Sequence, residues 1–290
     1  MTKLAGRAAF VTGGAGGIGF AIAAALADEG MRVTIADVAT DRLGDAVSRS
    51  GGRFAAQRLD VTDETSWREA IDAAEQALGA ISMLVNSAGI GGGAAVGADA
   101  PARWKLVQEV NALGPFLGAN LLIPRMRELE SAAHIVNVAS LAGLCATPSM
   151  SAYNASKYAL VGLTDTLRGE LAGSNIGVSL VYPGTVRTDF IANAQNIIAD
   201  RTNIAPRPSG TENLLAKGMA PEEFARLVVA GVKAGDYHIF THGGWGARLA
   251  AHFDDRMAAY GDESRFEGGQ DLTELDRAIG AIMDQSANRA

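Results

Sequence analysis

Seven short apolar or β-branched runs, at residues 8–11, 32–36, 54–59, 83–86, 134–138, 177–182 and 237–241, alternate along this chain with longer segments of helical period. The helical segments include 19–29, 63–78, 104–121 and 151–171. Few architectures accept that order. A strand, a helix and a second strand close a right-handed crossover, and repeated crossovers lay the strands parallel in one sheet with helices on both faces. The sequence therefore predicts a doubly wound α/β fold with a parallel sheet of about seven strands. No linker rich in Pro or Ser divides the chain and no repeat is visible, so one domain is expected at 1–242. Residues 188–220 interrupt the last crossover and carry Pro206, Pro208 and Gly210, as a substrate lid would. Residues 243–290 continue past the last strand as a C-terminal extension, with helices expected at 247–260 and 272–285.

Charge and composition narrow the function. With 48% hydrophobic residues the chain can bury a sizeable core. A formal charge of −7 argues against a nucleic-acid partner and against an anionic membrane surface, since both require an excess of Lys and Arg. The single cysteine, Cys145, rules out an internal disulfide and a cysteine-based zinc cluster, and it fits a reducing, cytoplasmic setting. Two uncharged runs, 10–27 and 135–156, imitate targeting segments. The first contains five glycines and the second is interrupted by Ser, Thr, Asn and Pro, so neither is read as a signal peptide or a membrane span.

Thr12-Gly13-Gly14-Ala15-Gly16-Gly17-Ile18-Gly19 falls between the first strand and the first helix. A glycine-rich turn there lets backbone approach a pyrophosphate, and the positive end of the helix stabilises it. Asp37 closes the second strand, 18 residues beyond Gly19. A carboxylate at that point can accept both ribose hydroxyls of an adenosine and repels a 2′-phosphate. Neither Gly16 nor Val38 beside it is basic, so NAD is favoured over NADP.

The reactive end lies further along. Tyr153 and Lys157 are four apart at the start of a helix, on one face, with Cβ atoms about 5–6 Å apart. An ammonium so placed is expected to lower the phenol pKa toward working pH, as a general acid/base requires. Ser140 ends the fifth strand, where the carboxyl edge of the sheet faces the ligand crevice, and its hydroxyl can hold a substrate oxygen.

These motifs together resemble the short-chain dehydrogenase/reductases, in their single-domain branch, over about residues 5–242. The matching elements are Thr12-Gly13-x-x-x-Gly17-x-Gly19, Asp60-Val61, Asn86-Ser87-Ala88-Gly89, Asn111, Ser140, Tyr153-x-x-x-Lys157 and Pro183-Gly184. The resemblance implies a Rossmann fold and an NAD-dependent transfer of hydride between nicotinamide and a carbonyl or alcohol carbon. It implies that Tyr153 exchanges a proton with the substrate oxygen, Ser140 polarises that oxygen, Lys157 also holds the nicotinamide ribose and Asn111 anchors a water in the proton relay. Asp60 and Val61 would contact adenine, and Thr188 the carboxamide. Ile18, Asn86, Ala88, Gly89, Pro183, Gly184 and Val186 would line the cofactor trough with Gly13, Gly17 and Gly19. One departure is Ser87, where the family usually has Asn. The resemblance also implies a homodimer or homotetramer.

The substrate is the least legible part. Leu141, Leu144 and Met150 follow Ser140, while Phe190, Ile191, Ile197 and Ile198 begin the lid. No Arg or Lys lies between Ser140 and Tyr153 to pair with a carboxylate, so a bulky apolar secondary alcohol or ketone, plausibly aromatic, is expected. Thr241-His242-Gly243-x-Trp245 and the helix after it look similar to dehydrogenases of aromatic, lignin-derived alcohols. Two rivals stand beside this reading: a 3-oxoacyl-carrier or steroid-type reductase, and a non-catalytic dinucleotide-sensing protein. Asp37 and the long tail count against the acyl-carrier reductase, and the Asn111/Ser140/Tyr153/Lys157 set against the sensor. No metal is expected, because His238 and His242 sit on a strand, where a spacing of four spans about 13 Å. Leu272, Leu275, Ile279 and Ile282 give the tail an apolar stripe, which needs either a partner subunit or the pocket itself.

Overall fold

The computed structural model describes residues 4–206 and 215–260, together with Arg277. Seven parallel strands form one sheet: β1 (Ala8–Thr12), β2 (Arg32–Asp37), β3 (Phe54–Arg58), β4 (Ile81–Asn86), β5 (Ala133–Val138), β6 (Ile176–Tyr182) and β7 (His238–Phe240). Their spatial order is β3-β2-β1-β4-β5-β6-β7. Every residue of β1, β4 and β5 is buried, which is why these strands read as continuous apolar runs rather than as alternating ones. The order reverses between β1 and β4, and at such a switch point the loops leaving the two strands diverge and open a crevice.

Helices cover both faces. On one side α1 (Gly17–Asp28), α2 (Thr40–Arg49) and α8 (Pro221–Ala234) place Ile22, Leu26, Leu43, Phe224 and Val228 against Val33, Ile35 and Val181 of the sheet. On the other, α3 (Glu64–Leu78), α5 (Gly114–Arg127) and α6 (Ser151–Glu170) bring Trp67, Ile71, Leu122 and Leu167 onto Phe10, Leu84 and Ile135. Asp63 caps α3 by accepting from the backbone of Thr65 and Ser66, two donors that the first helical turn leaves unpaired. Trp67 is fully buried, and its Nε1 donates to the Val61 carbonyl at 3.0 Å.

The expected helix at 104–121 is longer and has a break. α4 (Pro101–Gln108) runs into a single wide π turn, Glu109–Leu113, and then into α5. This stretch is apolar and long enough to cross a membrane, yet 56% of its most apolar window is buried, and it packs on α3, β4 and α6 as a core helix. The sequence did not announce α2, whose ten residues bury only Leu43 and Ala46. The stretch expected to form a lid carries α7 (Phe190–Thr202), and the expected helix at 247–260 is present as α9 (Gly246–Tyr260). The second tail helix, with Leu272, Leu275, Ile279 and Ile282, lies outside the described residues.

Candidate active site

The crevice at the switch point begins on the glycine turn. Gly13 has φ +66°, a left-handed conformation that L side chains rarely adopt, and a Cβ there would lie 2.8 Å from the Ala88 backbone. At Gly19 a Cβ would stand 2.3 Å from the Gly13 carbonyl oxygen. Both positions need glycine for the turn to fold tightly on the loop after β4. Thr12 completes the junction, its hydroxyl accepting from the backbone of Ser87 and Ala88.

Asp37 closes β2 beside this turn. One carboxylate oxygen accepts from Ala15 N–H at 3.2 Å and the other from Ala39 N–H at 3.1 Å. The carboxylate thus braces the glycine turn and retains lone pairs toward the groove. Two residues that sequence reasoning missed flank this end. Arg42, on the first turn of α2, lies over Gly16 and lines the groove. Arg201, near the end of α7, reaches across to an ion pair with Asp60. Burial opposes ionisation of Asp60, but hydrogen bonds from Thr62 and Arg201 outweigh it and hold the carboxyl below its ordinary range. Recognising a helix at 40–49 would have pointed to Arg42. Arg201 carries no local signal.

At the other end Ser140, Tyr153 and Lys157 converge. Ser140 starts a single 3₁₀ turn after β5, and its Oγ accepts from Ala142 N–H at 3.1 Å. Tyr153 opens toward the groove from the first turn of α6, with the Phe190 ring edge-on at 6.0 Å between centroids. Lys157 is 5% exposed; its Nζ donates to the Val138 carbonyl at 2.9 Å and lies 5.7 Å from the centre of the Tyr153 ring. Burial pushes the lysine down to about 8. The expected depression of the phenol by Lys157 is absent: burial raises the Tyr153 pKa, and a hydrogen bond with Ser140 only partly offsets that. The ammonium is turned to a backbone carbonyl, so it favours tyrosinate less than the spacing suggested.

Of the residues predicted for the site, Gly13, Gly17, Ile18, Gly19, Asp37, Asp60, Val61, Ala88, Gly89, Ser140, Tyr153, Lys157, Pro183, Gly184, Val186 and Thr188 all line this one groove. Asn86 and Asn111 do not. Asn86 lies beneath it, donating to Asn137 Oδ1 at 2.8 Å. Asn111, fully buried in the π turn, accepts from Ile90 N–H and donates to the Ile90 carbonyl and to Ser156 Oγ. It locks the loop after β4 onto α6. His242, discounted as a metal ligand, accepts from Gly184 N–H at 3.0 Å and pairs with the Thr185 carbonyl, fixing the loop after β6. No group of residues able to hold a metal occurs among the described residues.

The groove fits a dinucleotide. Its glycine cradle would be filled by a Cβ at Gly13 or Gly19, and Ser87 Oγ on its wall is buried with no hydrogen-bond partner among the described residues. A parallel sheet with a glycine turn at its switch point and a Ser/Tyr/Lys cluster opposite defines a dinucleotide-dependent oxidoreductase. Comparison agrees. Residues 7–197 match the short chain dehydrogenase family, and the chain belongs to that family. It is 33% identical over 222 residues to the NADP-dependent (R)-specific alcohol dehydrogenase of Lentilactobacillus kefiri, covering 74% of this chain and 88% of the relative. A short chain dehydrogenase/reductase from Burkholderia phymatum in complex with NAD aligns with a TM-score of 0.84 at 33% identity, over 89% of this chain and 97% of that one. A putative short-chain dehydrogenase from Novosphingobium aromaticivorans aligns with a TM-score of 0.81 at 27% identity, over 99% of this chain and all of its own. The chain is an NAD(P)-type oxidoreductase acting on CH–OH donors.

Proposed function

We propose that this protein oxidises a bulky, apolar secondary alcohol, or reduces the matching ketone, with NAD preferred over NADP. The observation that carries the reading is the meeting of Ser140, Tyr153 and Lys157 at one end of a groove whose other end is the glycine turn. The dinucleotide would supply a nicotinamide ring able to carry hydride. Tyr153 takes the hydroxyl proton of an alcohol, or returns it to a ketone oxygen, since hydride transfer alone leaves an unbalanced charge on that oxygen. Ser140 holds the same oxygen. Lys157, held behind Tyr153 by the Val138 carbonyl, would hold the nicotinamide ribose, and Asn111 keeps the relay side of α6 in place.

At the adenosine end Asp37 favours free ribose hydroxyls, and Asp60 with Val61 borders the adenine. Arg42 moderates the NAD preference, because a guanidinium over Gly16 can meet a 2′-phosphate. Ile18, Ala88, Gly89, Pro183, Gly184, Val186 and Thr188 line the trough between the two ends. We place the protein in the cytoplasm as a homodimer or homotetramer, with one catalytic domain at 1–242.

Tyr153→Phe tests the reading, since it keeps the ring packed on Phe190 and removes only the ionising group. Turnover of secondary alcohols should fall at least ~10²-fold while NAD affinity stays the same. Retained turnover would refute the mechanism. A wild type that binds NAD and oxidises no alcohol would favour a non-catalytic sensor.

A further inference from the structure

Next to the reactive groove lies a second cavity of about 390 Å³, within the size range of small-molecule pockets. One side of it is the run Gly91-Gly92-Gly93 after β4. Side chains there would close it in: a Cβ on Gly91 would come within 2.6 Å of the Phe190 ring, and one on Gly93 within 3.0 Å of the Met150 backbone. Ile191 and Ile198 of α7 help to make the apolar wall. Phe190 lines the reactive groove, edge-on to Tyr153, and packs against Gly91, which lines the second cavity.

The cavity is not wholly apolar. Arg103, from α4, lines it and is only 9% exposed. Its Nε donates to Asp99 Oδ1 at 2.7 Å, and Nη2 bonds the same oxygen at 2.5 Å. The other Asp99 oxygen accepts from Ala94 N–H and Ser151 Oγ. Asp99 is fully engaged, and Arg103 Nη1 has no acceptor among the described residues. A guanidinium nitrogen with two free N–H groups at the edge of an apolar chamber is a specific recognition element.

Resting on the alcohol dehydrogenase reading above, we infer that this cavity receives the far end of the substrate. That end is an aryl group bearing a neutral oxygen acceptor, to which Arg103 Nη1 donates. A substrate reaching from Tyr153 into the chamber runs along the Phe190 ring. The oxygen is a neutral hydroxyl, ether or carbonyl because Asp99 already offsets the arginine charge. A carboxylate would have to lose its water beside a second carboxylate. The stretch between Ser140 and Tyr153 holds no cation, and α4 supplies one from far upstream.

The test compares 1-phenylethanol, 1-(4-methoxyphenyl)ethanol and 4-(1-hydroxyethyl)benzoate as substrates of the full-length enzyme. Calorimetry of acetophenone and 4-methoxyacetophenone on the NADH complex gives a readout independent of turnover. Wild type should favour the methoxy compounds about 10-fold or more in kcat/KM and in affinity, as a hydrogen bond to a charged group implies. The benzoate should do no better than 1-phenylethanol. Arg103→Lys, whose ammonium stays on Asp99, should erase the methoxy preference. The neutral pair Asp99→Asn/Arg103→Gln should do the same. Ile191→Trp, which fills the chamber, should lower activity on the aryl alcohols far more than on 2-butanol.

A methoxy preference that survives both Arg103 variants overturns the role of Arg103, and a benzoate preference overturns the neutral acceptor. Turnover with no aryl preference in wild type overturns the chamber assignment and leaves the dehydrogenase standing. A binding preference without any turnover supports the chamber and refutes the dehydrogenase.

Discussion

Lys157→Met should make the protein more stable at neutral pH while destroying its activity. Lys157 is almost completely buried, and among the described residues its Nζ meets one acceptor, the Val138 carbonyl. Desolvation lowers its pKa from 10.5 to about 8. At 1.36 kcal/mol for each tenfold step, holding the ammonium inside the fold costs about 3 kcal/mol. Below pH 8 folded and unfolded chains both carry the proton, and the full cost applies. Between pH 8 and 10.5 only the unfolded chain holds it, so wild-type stability climbs with pH, and above 10.5 the cost has gone. Methionine fills a similar volume with no charge, and it forfeits a hydrogen bond worth about 1 kcal/mol. The net gain near pH 7 is about 2 kcal/mol, a rise in Tm of roughly 3 °C for a chain of 290 residues. Thermal melts of both proteins at intervals from pH 6.5 to 10.5 measure it. The gap should be widest at pH 7 and close, or reverse, by pH 10.5. A methionine variant less stable at pH 7, or a gap that ignores pH, would refute the reasoning.

Three further outcomes are expected. Asp37→Ala should lower NAD affinity roughly 10- to 150-fold and narrow the preference over NADP, whereas Arg42→Ala should widen it. Initial rates with both cofactors decide this, and a wild type that prefers NADP would reverse the assignment of Asp37. Gly13→Ala should abolish dinucleotide binding by fluorescence titration, because its Cβ would enter the Ala88 backbone and the residue sits at φ +66°. Sedimentation should give a dimer or tetramer at micromolar concentration. Leu113→Glu/Phe116→Glu, which charges an apolar patch left open on the α4–α5 helical stretch, should shift it toward monomer.

The sheet was legible because its strands are buried on both faces, which forces apolar β-branched runs such as 83–86 and 134–138 into the sequence. The helix at 40–49 was not, because a helix that buries two residues leaves almost no period to read. The π turn at Glu109–Leu113 was equally silent. It coincides with Asn111, which bonds Ile90 and Ser156 across the fold, and propensity carries no trace of such contacts. Local motifs located the glycine turn and the Tyr153/Lys157 pair at once. The electrostatics did not follow from spacing: the four-residue step put Lys157 near Tyr153, but the direction of Nζ was set by Val138 on another element. Arg42, Arg103 and Arg201 escaped for the same reason, since each acts on residues that the fold, not the chain order, brings close.

Helix α7 has 13 residues, which at 1.5 Å per residue makes it about 20 Å long. Its first residue lies on Tyr153 and its twelfth is clasped to Asp60, so the helix is a strap buckled at both ends of the groove. A dinucleotide bound along that groove would lie beside the strap, and its release is expected to be easier when one end comes loose. Loosening of the strap is then expected to contribute to the limit on turnover. The outer buckle is a partly exposed ion pair that salt screens. If release limits the rate, turnover is expected to rise with ionic strength, and Arg201→Ala should remove that dependence.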